Sequence, residues 1–278
     1  MLTRPAYAKI NLTLEVLGRC SDGYHEIATV FQEIDLKDTL SFGEASGINV
    51  EGDYLALEAA KLLQETAGLS KGASISIKKG IPRAAGLGGS SSDAAATFRA
   101  LDKLWGLRFP LDKLVEMASK VSADTAFFLY GGTALGQGRG ERITPLPPFP
   151  SSWVVLFRPP VSVPPNKTKS LYSFLNPSHF TEGQFTKRLV ELLYLGSDVP
   201  PSSLFNAFEK VAFTAFPGLD RYWQRFSALG ADNIHLAGSG PTLFTLVKDK
   251  AQGEKLYRSL KREGLEAYLV RTIQTCKI

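Results

Sequence analysis

Residues 82–93 read PRAAGLGGSSSD and run directly into AAATFRALDKLWG, an alanine-rich stretch without proline that predicts a helix. A glycine-dense loop feeding straight into a helix start is a place to hold phosphate. Gly86, Gly88 and Gly89 carry no Cβ, so the backbone can turn tightly and approach a ligand closely. Ser90, Ser91 and Ser92 add hydroxyl donors. The first unpaired N–H groups of the helix point at the same spot, with the positive end of the helix dipole behind them. A plain strand-to-helix connection accounts for the glycines but needs no run of three serines.

The spacing excludes the two commonest nucleotide loops. A P-loop requires lysine and then Ser or Thr after its last glycine; Ser90 stands there, and no Gly-Lys-Ser/Thr occurs in the chain. The dinucleotide fingerprint requires a third glycine where Ser91 stands, and a continuously apolar strand before the loop. Residues 74–78 (SISIK) alternate instead, and Asp112, at the right offset for the ribose acid, falls at a helix start.

Upstream, residues 7–16 (YAKINLTLEV) place Ile10, Leu12, Leu14 and Val16 on one face and Lys9, Asn11, Thr13 and Glu15 on the other. This period predicts a half-buried strand with one wet face. Asp22-Gly23 marks a turn, strands are expected over 29–36 and 39–42, a helix over 54–67, and a strand over 73–78. Downstream follow a helix over 111–121 and an apolar, glycine-rich stretch over 122–143, read as a short helical turn and a hairpin. Residues 144–150 (TPLPPFP) carry four prolines in seven positions and mark the domain boundary, giving domains 1–150 and 151–278. Beyond it come a strand (153–157), amphipathic helices including 185–195 and 220–229, a strand–glycine turn–strand unit (234–247), a charged helix (250–263) and a last strand (266–273). The fold class is α+β in both halves.

With 278 residues, 44% hydrophobic and 21% charged, the chain has ample material for a core. Cys20 and Cys276 lie near opposite ends without any CxxC, so neither a disulfide framework nor a structural zinc is expected, and a reducing cytoplasm fits. No signal peptide and no bilayer-spanning run is read. The net charge of +5 suits an anionic ligand. The basic residues of 250–262 are interspersed with acids, with Asp249 and Glu263 at the flanks, as on a solvated helix face, so no nucleic-acid partner is expected.

Three segments together resemble the GHMP kinase family. PRAAGLGGSSSDAAA is similar to the family's ATP loop, P-x-x-x-G-L-G-x-S-S; AYAKINLTLEVLG is similar to its first strand; and LAGSGPT, residues 236–242, is similar to its C-terminal glycine motif. Residues 8–40 and 122–146 further resemble a branch of the family that acts on a cytidine diphosphate derivative. The resemblance implies two domains, an N-terminal α/β sandwich of antiparallel-rich sheet and helices and a C-terminal ferredoxin-like α+β domain. It implies ATP and Mg²⁺ as cofactors, with ATP held by Pro82, Arg83, Ala84, Ala85, Gly86, Leu87, Gly88, Gly89, Ser90, Ser91 and Ser92, and with Gly238, Ser239 and Gly240 near the phosphates. By the same match Asp124 is the base that receives a hydroxyl proton and Lys9 its partner, while Asn11, Tyr24, His25 and Phe31 bind the substrate. The partners implied are small molecules only, with no membrane, in a monomer or weak homodimer.

The residues alone leave Asp124 open as a turn cap, Lys9 as a strand-face lysine and Phe31 as a core aromatic. The magnesium ligands stay open among Ser90, Ser91, Ser92 and Asp93, and Lys79 is a candidate edge of the adenine pocket. His179 and His235 are read as structural. The chain departs from the usual family pattern at Arg83 and Ala84, at Ser90, and around Asp124, where Ser122, Thr125 and Ala126 replace the customary glycine, valine and proline.

Overall fold

The computed structural model describes residues 1–274, so Cys276, half of the cysteine reading, lies outside the described residues, as does the end of the 151–278 segment. The chain opens with two long antiparallel strands, β1 (Leu2–Arg19) and β2 (His25–Ala45), joined by the turn at Asp22-Gly23. The two strands expected over 29–36 and 39–42 are therefore one. The charged pair between them, Lys37-Asp38, reads as a break, yet a register shift opposite Tyr7 and Ala8 absorbs it. Asp38 is fully buried and accepts the amides of Gly80 (2.6 Å) and Ile81 (2.8 Å).

Strand β3 (Ile48–Val50), helix α1 (Tyr54–Thr66) and strand β4 (Gly72–Lys78) follow, and β4 pairs with the far half of β2. Asp53 starts α1 by accepting the amides of Leu55 and Ala56. The glycine loop then leads into α2 (Gly89–Trp105), which Gly106 ends in the left-handed conformation. Helices α3 (Leu111–Val121) and α4 (Thr125–Tyr130) precede a hairpin of β5 (Thr133–Gly138) and β6 (Arg142–Pro145), and β5 pairs with the near half of β2. Phe42, Leu63, Phe98, Leu101 and Phe127 centre the core between helices and sheet.

Past the prolines, β7 (Trp153–Arg158) begins a second sheet. Helices α5 (Lys167–Phe174) and α6 (Gln184–Tyr194), the short β8 (Phe205–Asn206), and helices α7 (Ala212–Ala215) and α8 (Leu219–Ala228) intervene. Strands β9 (His235–Leu236) and β10 (Leu243–Val247), helix α9 (Lys250–Arg262) and strand β11 (Glu266–Arg271) complete it. Its order is β11-β7-β10-β9, antiparallel throughout. With helical connections after β7 and after β10, this is a ferredoxin-like β-α-β-β-α-β arrangement. Strand β8 leaves that sheet and pairs in parallel with β1, Thr13 opposite Phe205.

The wet face expected of β1 is not wet. Lys9, Asn11, Thr13 and Glu15 are all buried. Alternation shows that the two faces of a strand differ; it does not say that water meets the polar one. Here α6 covers it. Glu15 accepts the amides of Phe185 (3.3 Å) and Thr186 (2.7 Å) at the start of α6, and the Thr186 hydroxyl reaches that of Thr13 at 2.9 Å. A buried carboxylate satisfied by helix amides is tolerable where a bare one is not.

Candidate active site

The phosphate-loop reading required unpaired amides, and they are present. Among the described residues, no backbone N–H from Gly86 to Ser91 is tied up by another protein group; the Ala85 N–H closes the turn at Arg83-Ala84, and the first α2 bond runs from the Ser92 N–H to the Gly88 oxygen, at 2.9 Å. Successive free amides at a helix start form an anion-binding concavity. The Lys9 N–H, donating to the Leu87 oxygen at 3.0 Å, ties the loop to β1. Gly86 (φ +85°) must be glycine, because a Cβ there would stand 2.0 Å from the Ala237 oxygen. The second glycine turn, around Gly238, is thus pressed backbone to backbone against the first. Asn206 holds that second turn by donating to the Leu236 and Gly238 oxygens, both at 2.8 Å. Glu209 accepts the Leu236 amide at 2.9 Å and lies 3.1 Å from His235 Nδ1, which accounts for His235 structurally.

Lys9 and Asp124 meet. Lys9 Nζ lies 3.1 Å from Asp124 Oδ2 and donates to Asn11 Oδ1 at 2.8 Å. Asn11 in turn donates to Thr29, and Thr29 to the Thr13 carbonyl, so the lysine is held in one rotamer by a buried chain of hydrogen bonds. Asp124 occupies the position that would cap α4, but its side chain accepts no helix amide and turns to Lys9 instead. Neither bland alternative describes the pair. Beneath it, Phe31 is 1% exposed, stacks on Phe127 at 4.8 Å and lies 5.1 Å from Lys9 Nζ. Ser122, where the family usually has glycine, links the Asp124 turn to α2: its hydroxyl is 2.9 Å from that of Ser91 and 2.6 Å from that of Thr125.

These groups line one cleft of about 1420 Å³. Gly86, Gly88, Gly238 and Ser239 form one end, and Lys9, Asn11 and Asp124 line it as well. Tyr24, His25, Tyr172 and Phe180 also face it. His25 stacks on Tyr172 at 4.7 Å and meets Phe180 edge-on at 5.9 Å. Burial, and then the Arg19 charge, hold the His25 pKa below its ordinary value, so the imidazole is neutral near pH 7 and offers one donor and one acceptor. Tyr24 is 58% exposed, with the Arg139 guanidinium 3.8 Å from its ring centre. A smaller cavity of about 370 Å³ opens on residues 82–91 as well, and Asp53, Tyr54 and Lys79 line its remainder.

The four candidates at the start of α2 divide. Ser90 is exposed and Ser91 partly so, whereas Ser92 and Asp93 are buried. Asp93 turns to Lys79, at 2.8 Å, and the same ammonium lies 2.5 Å from Asp38. Two buried carboxylates share one cation. Burial therefore outweighs the ion pair and pushes the Asp93 pKa up to about 7. Lys167, Tyr172 and Phe180 are not legible as site residues: they lie in a polar stretch whose pattern shows only a modest helix, and tertiary packing alone brings Tyr172 and Phe180 to the cleft and Lys167 to the two glycine turns.

Two family models match the chain: the GHMP kinases N terminal domain over residues 54–132 and the GHMP kinases C terminal over residues 188–266. The chain belongs to the GHMP kinase family. It is 44% identical to a 4-diphosphocytidyl-2-C-methyl-D-erythritol kinase of Dehalococcoides mccartyi, across 98% of this chain and 99% of that protein. It is 39% identical to the Bacillus cereus protein of the same name, across 96% of each. A crystal structure of a 4-(cytidine 5'-diphospho)-2C-methyl-D-erythritol kinase superposes with a TM-score of 0.84 at 34% identity, covering 99% of this chain and 100% of that one. As a GHMP kinase the protein uses ATP. Lys9 lies outside both matched spans. No helix among the described residues of this GHMP kinase is long and apolar enough to cross a membrane.

Proposed function

We propose that this GHMP kinase transfers the γ-phosphoryl group of ATP to the 2-hydroxyl of 4-diphosphocytidyl-2-C-methyl-D-erythritol, giving the 2-phosphate and ADP in the non-mevalonate route to isoprenoid precursors. The observation that carries this reading is the single cleft, in which unpaired loop amides, the Lys9–Asp124 pair and an aromatic group around a neutral histidine all face the same space.

Phosphoryl transfer asks the protein mostly for alignment and charge stabilisation. The amides from Gly86 to Ser91 and the turn at Gly238, Ser239 and Gly240 hold the phosphates, and the nucleoside lies toward the smaller cavity beside Tyr54 and Lys79. At the acceptor, Asp124 takes the hydroxyl proton as the oxygen–γ-phosphorus bond forms and the bond to the β-phosphate oxygen breaks. Lys9 orients Asp124 through their ion pair and faces the charge that grows on the transferring group. Asn11 orients the substrate hydroxyls. Tyr24 and His25 bind the cytidine, and Phe31, being buried, acts from below by fixing Lys9.

Among the described residues no three carboxylates, histidines or cysteines cluster. Mg²⁺ takes most of its ligands from phosphate and water and needs only one or two protein oxygens. The part-exposed Asp124 carboxylate and the Ser90 and Ser91 hydroxyls would hold it, and it would neutralise charge on the phosphates. In the division of labour proposed, residues 1–150 supply ATP binding and catalysis and residues 151–278 close the cleft. The protein works as a monomer or weak homodimer, since one chain supplies every group named.

Incubation with ATP, Mg²⁺ and the diphosphocytidyl methylerythritol, followed by phosphorus NMR, tests the proposal. A new phosphomonoester resonance is expected there and none with homoserine or mevalonate. Turnover of either control in place of the cytidine compound would overturn the substrate assignment.

A further inference from the structure

Lys167, the first residue of α5, reaches the two glycine turns without any sequence signal. Its ammonium donates to two carbonyl oxygens at once, that of Ala84 at 3.1 Å and that of Gly240 in a second contact. The first belongs to the phosphate loop and the second to the C-terminal glycine turn, the two backbones already in contact at Gly86.

In a planar trans peptide the C=O and the following N–H point in opposite directions. Anchoring the Ala84 carbonyl on Lys167 therefore fixes the plane of the Ala84–Ala85 peptide, which leads directly into the unpaired amides from Gly86 to Ser91. Ala84 also needs the anchor. It stands at φ +55°, a left-handed conformation that costs an alanine on the order of 1 kcal/mol. The electrostatic setting favours an anion. Burial and the charges of Lys9 and Arg158, only partly offset by Asp124, hold the Lys167 pKa down to about 7.

We propose that Lys167 is a positioning residue for the nucleotide triphosphate: it clasps both glycine turns by their carbonyls and so keeps the loop amides presented to the phosphates. This rests on the loop being the ATP site. Calorimetry on the full chain with Mg²⁺ and AMP-PNP, and separately with CDP, tests it in Lys167→Met and Lys167→Arg. The methionine variant should bind AMP-PNP about tenfold or more weakly, the cost of losing charged hydrogen bonds. Its CDP affinity should stay within about twofold of wild type, which shows that the fold survives. Arginine should restore most of the loss, since its fork can span two acceptors. In turnover, KM for ATP should rise more than kcat falls. Unchanged AMP-PNP affinity in Lys167→Met would overturn the proposal, and so would parallel losses for both ligands with a lowered melting temperature. Failure of the wild-type protein to bind AMP-PNP would instead remove the ATP site itself, and the inference with it.

Discussion

Asp124 stands where a carboxylate ordinarily caps a helix and leaves the helix uncapped, spending its charge on Lys9 instead. Asp124→Asn keeps the shape and removes the base. It should lower kcat by about 10²–10⁴-fold, on the order of 3–5 kcal/mol in barrier, with an unchanged melting temperature; near wild-type turnover would take Asp124 out of the mechanism. At the aromatic end, His25→Ala should weaken binding of the cytidine substrate more than binding of ATP, because its ring faces only that part of the cleft. Equal losses, measured by titration of each ligand, would make His25 a packing residue. Asp93 supplies a pH test. Its folded pKa, about 7, is raised above the ordinary 3.8. The group's contribution to stability is thus full below about pH 4 and is lost as pH rises through 7. Asp93→Asn should flatten the fall in melting temperature between about pH 5 and 8. A slope identical to wild type would mean that Lys79 holds the carboxylate ionised throughout.

At the scale of elements, the hydroxyl chain from Ser91 through Ser122 to Thr125 joins the start of α2 to the start of α4. It arises from the residues that depart from the family's usual glycine and valine, and it fixes the turn carrying Asp124 to the helix carrying the loop. Ser122→Ala should cost about 0.5–1.5 kcal/mol in a urea melt, the net worth of one or two partly buried hydrogen bonds, with kcat reduced less than tenfold. No loss in either quantity would show that the chain of hydroxyls is incidental. Period and turn chemistry made most elements readable: α1, α2, α3 and α9 fall where their apolar spacing and glycine stops put them. The strand pair 29–36 and 39–42 misled because Lys37-Asp38 looked like a loop. Only the buried amides of Gly80 and Ile81 explain an aspartate in the middle of a strand.

Across the whole molecule, the proline-rich segment separates two sheets, each with its own apolar cluster, but a third cluster spans the boundary. Ile10, Leu12 and Val30 of the first sheet pack with Leu156, Leu189, Leu193 and Phe244 from beyond the boundary. Glu15 caps α6, and the Ile273 amide donates to the Glu33 oxygen at 2.9 Å. Such a shared apolar core couples the halves. Calorimetric unfolding should give one transition whose calorimetric and van't Hoff enthalpies agree; two resolved transitions would show that the halves fold independently.

The glycine loop, the helix behind it and the polar stripe of β1 were readable from local pattern, because backbone freedom and side-chain period are properties of neighbouring residues. With the family resemblance added, Lys9 and Asp124 could be paired in advance. Where that polar stripe points, which way Asp93 turns, how Tyr172 and Phe180 reach the cleft and how Lys167 reaches the glycine turns depend on contacts between residues far apart in the chain. Burial and charge pairing there are set by packing, which no local pattern encodes, and only the assembled fold decided them.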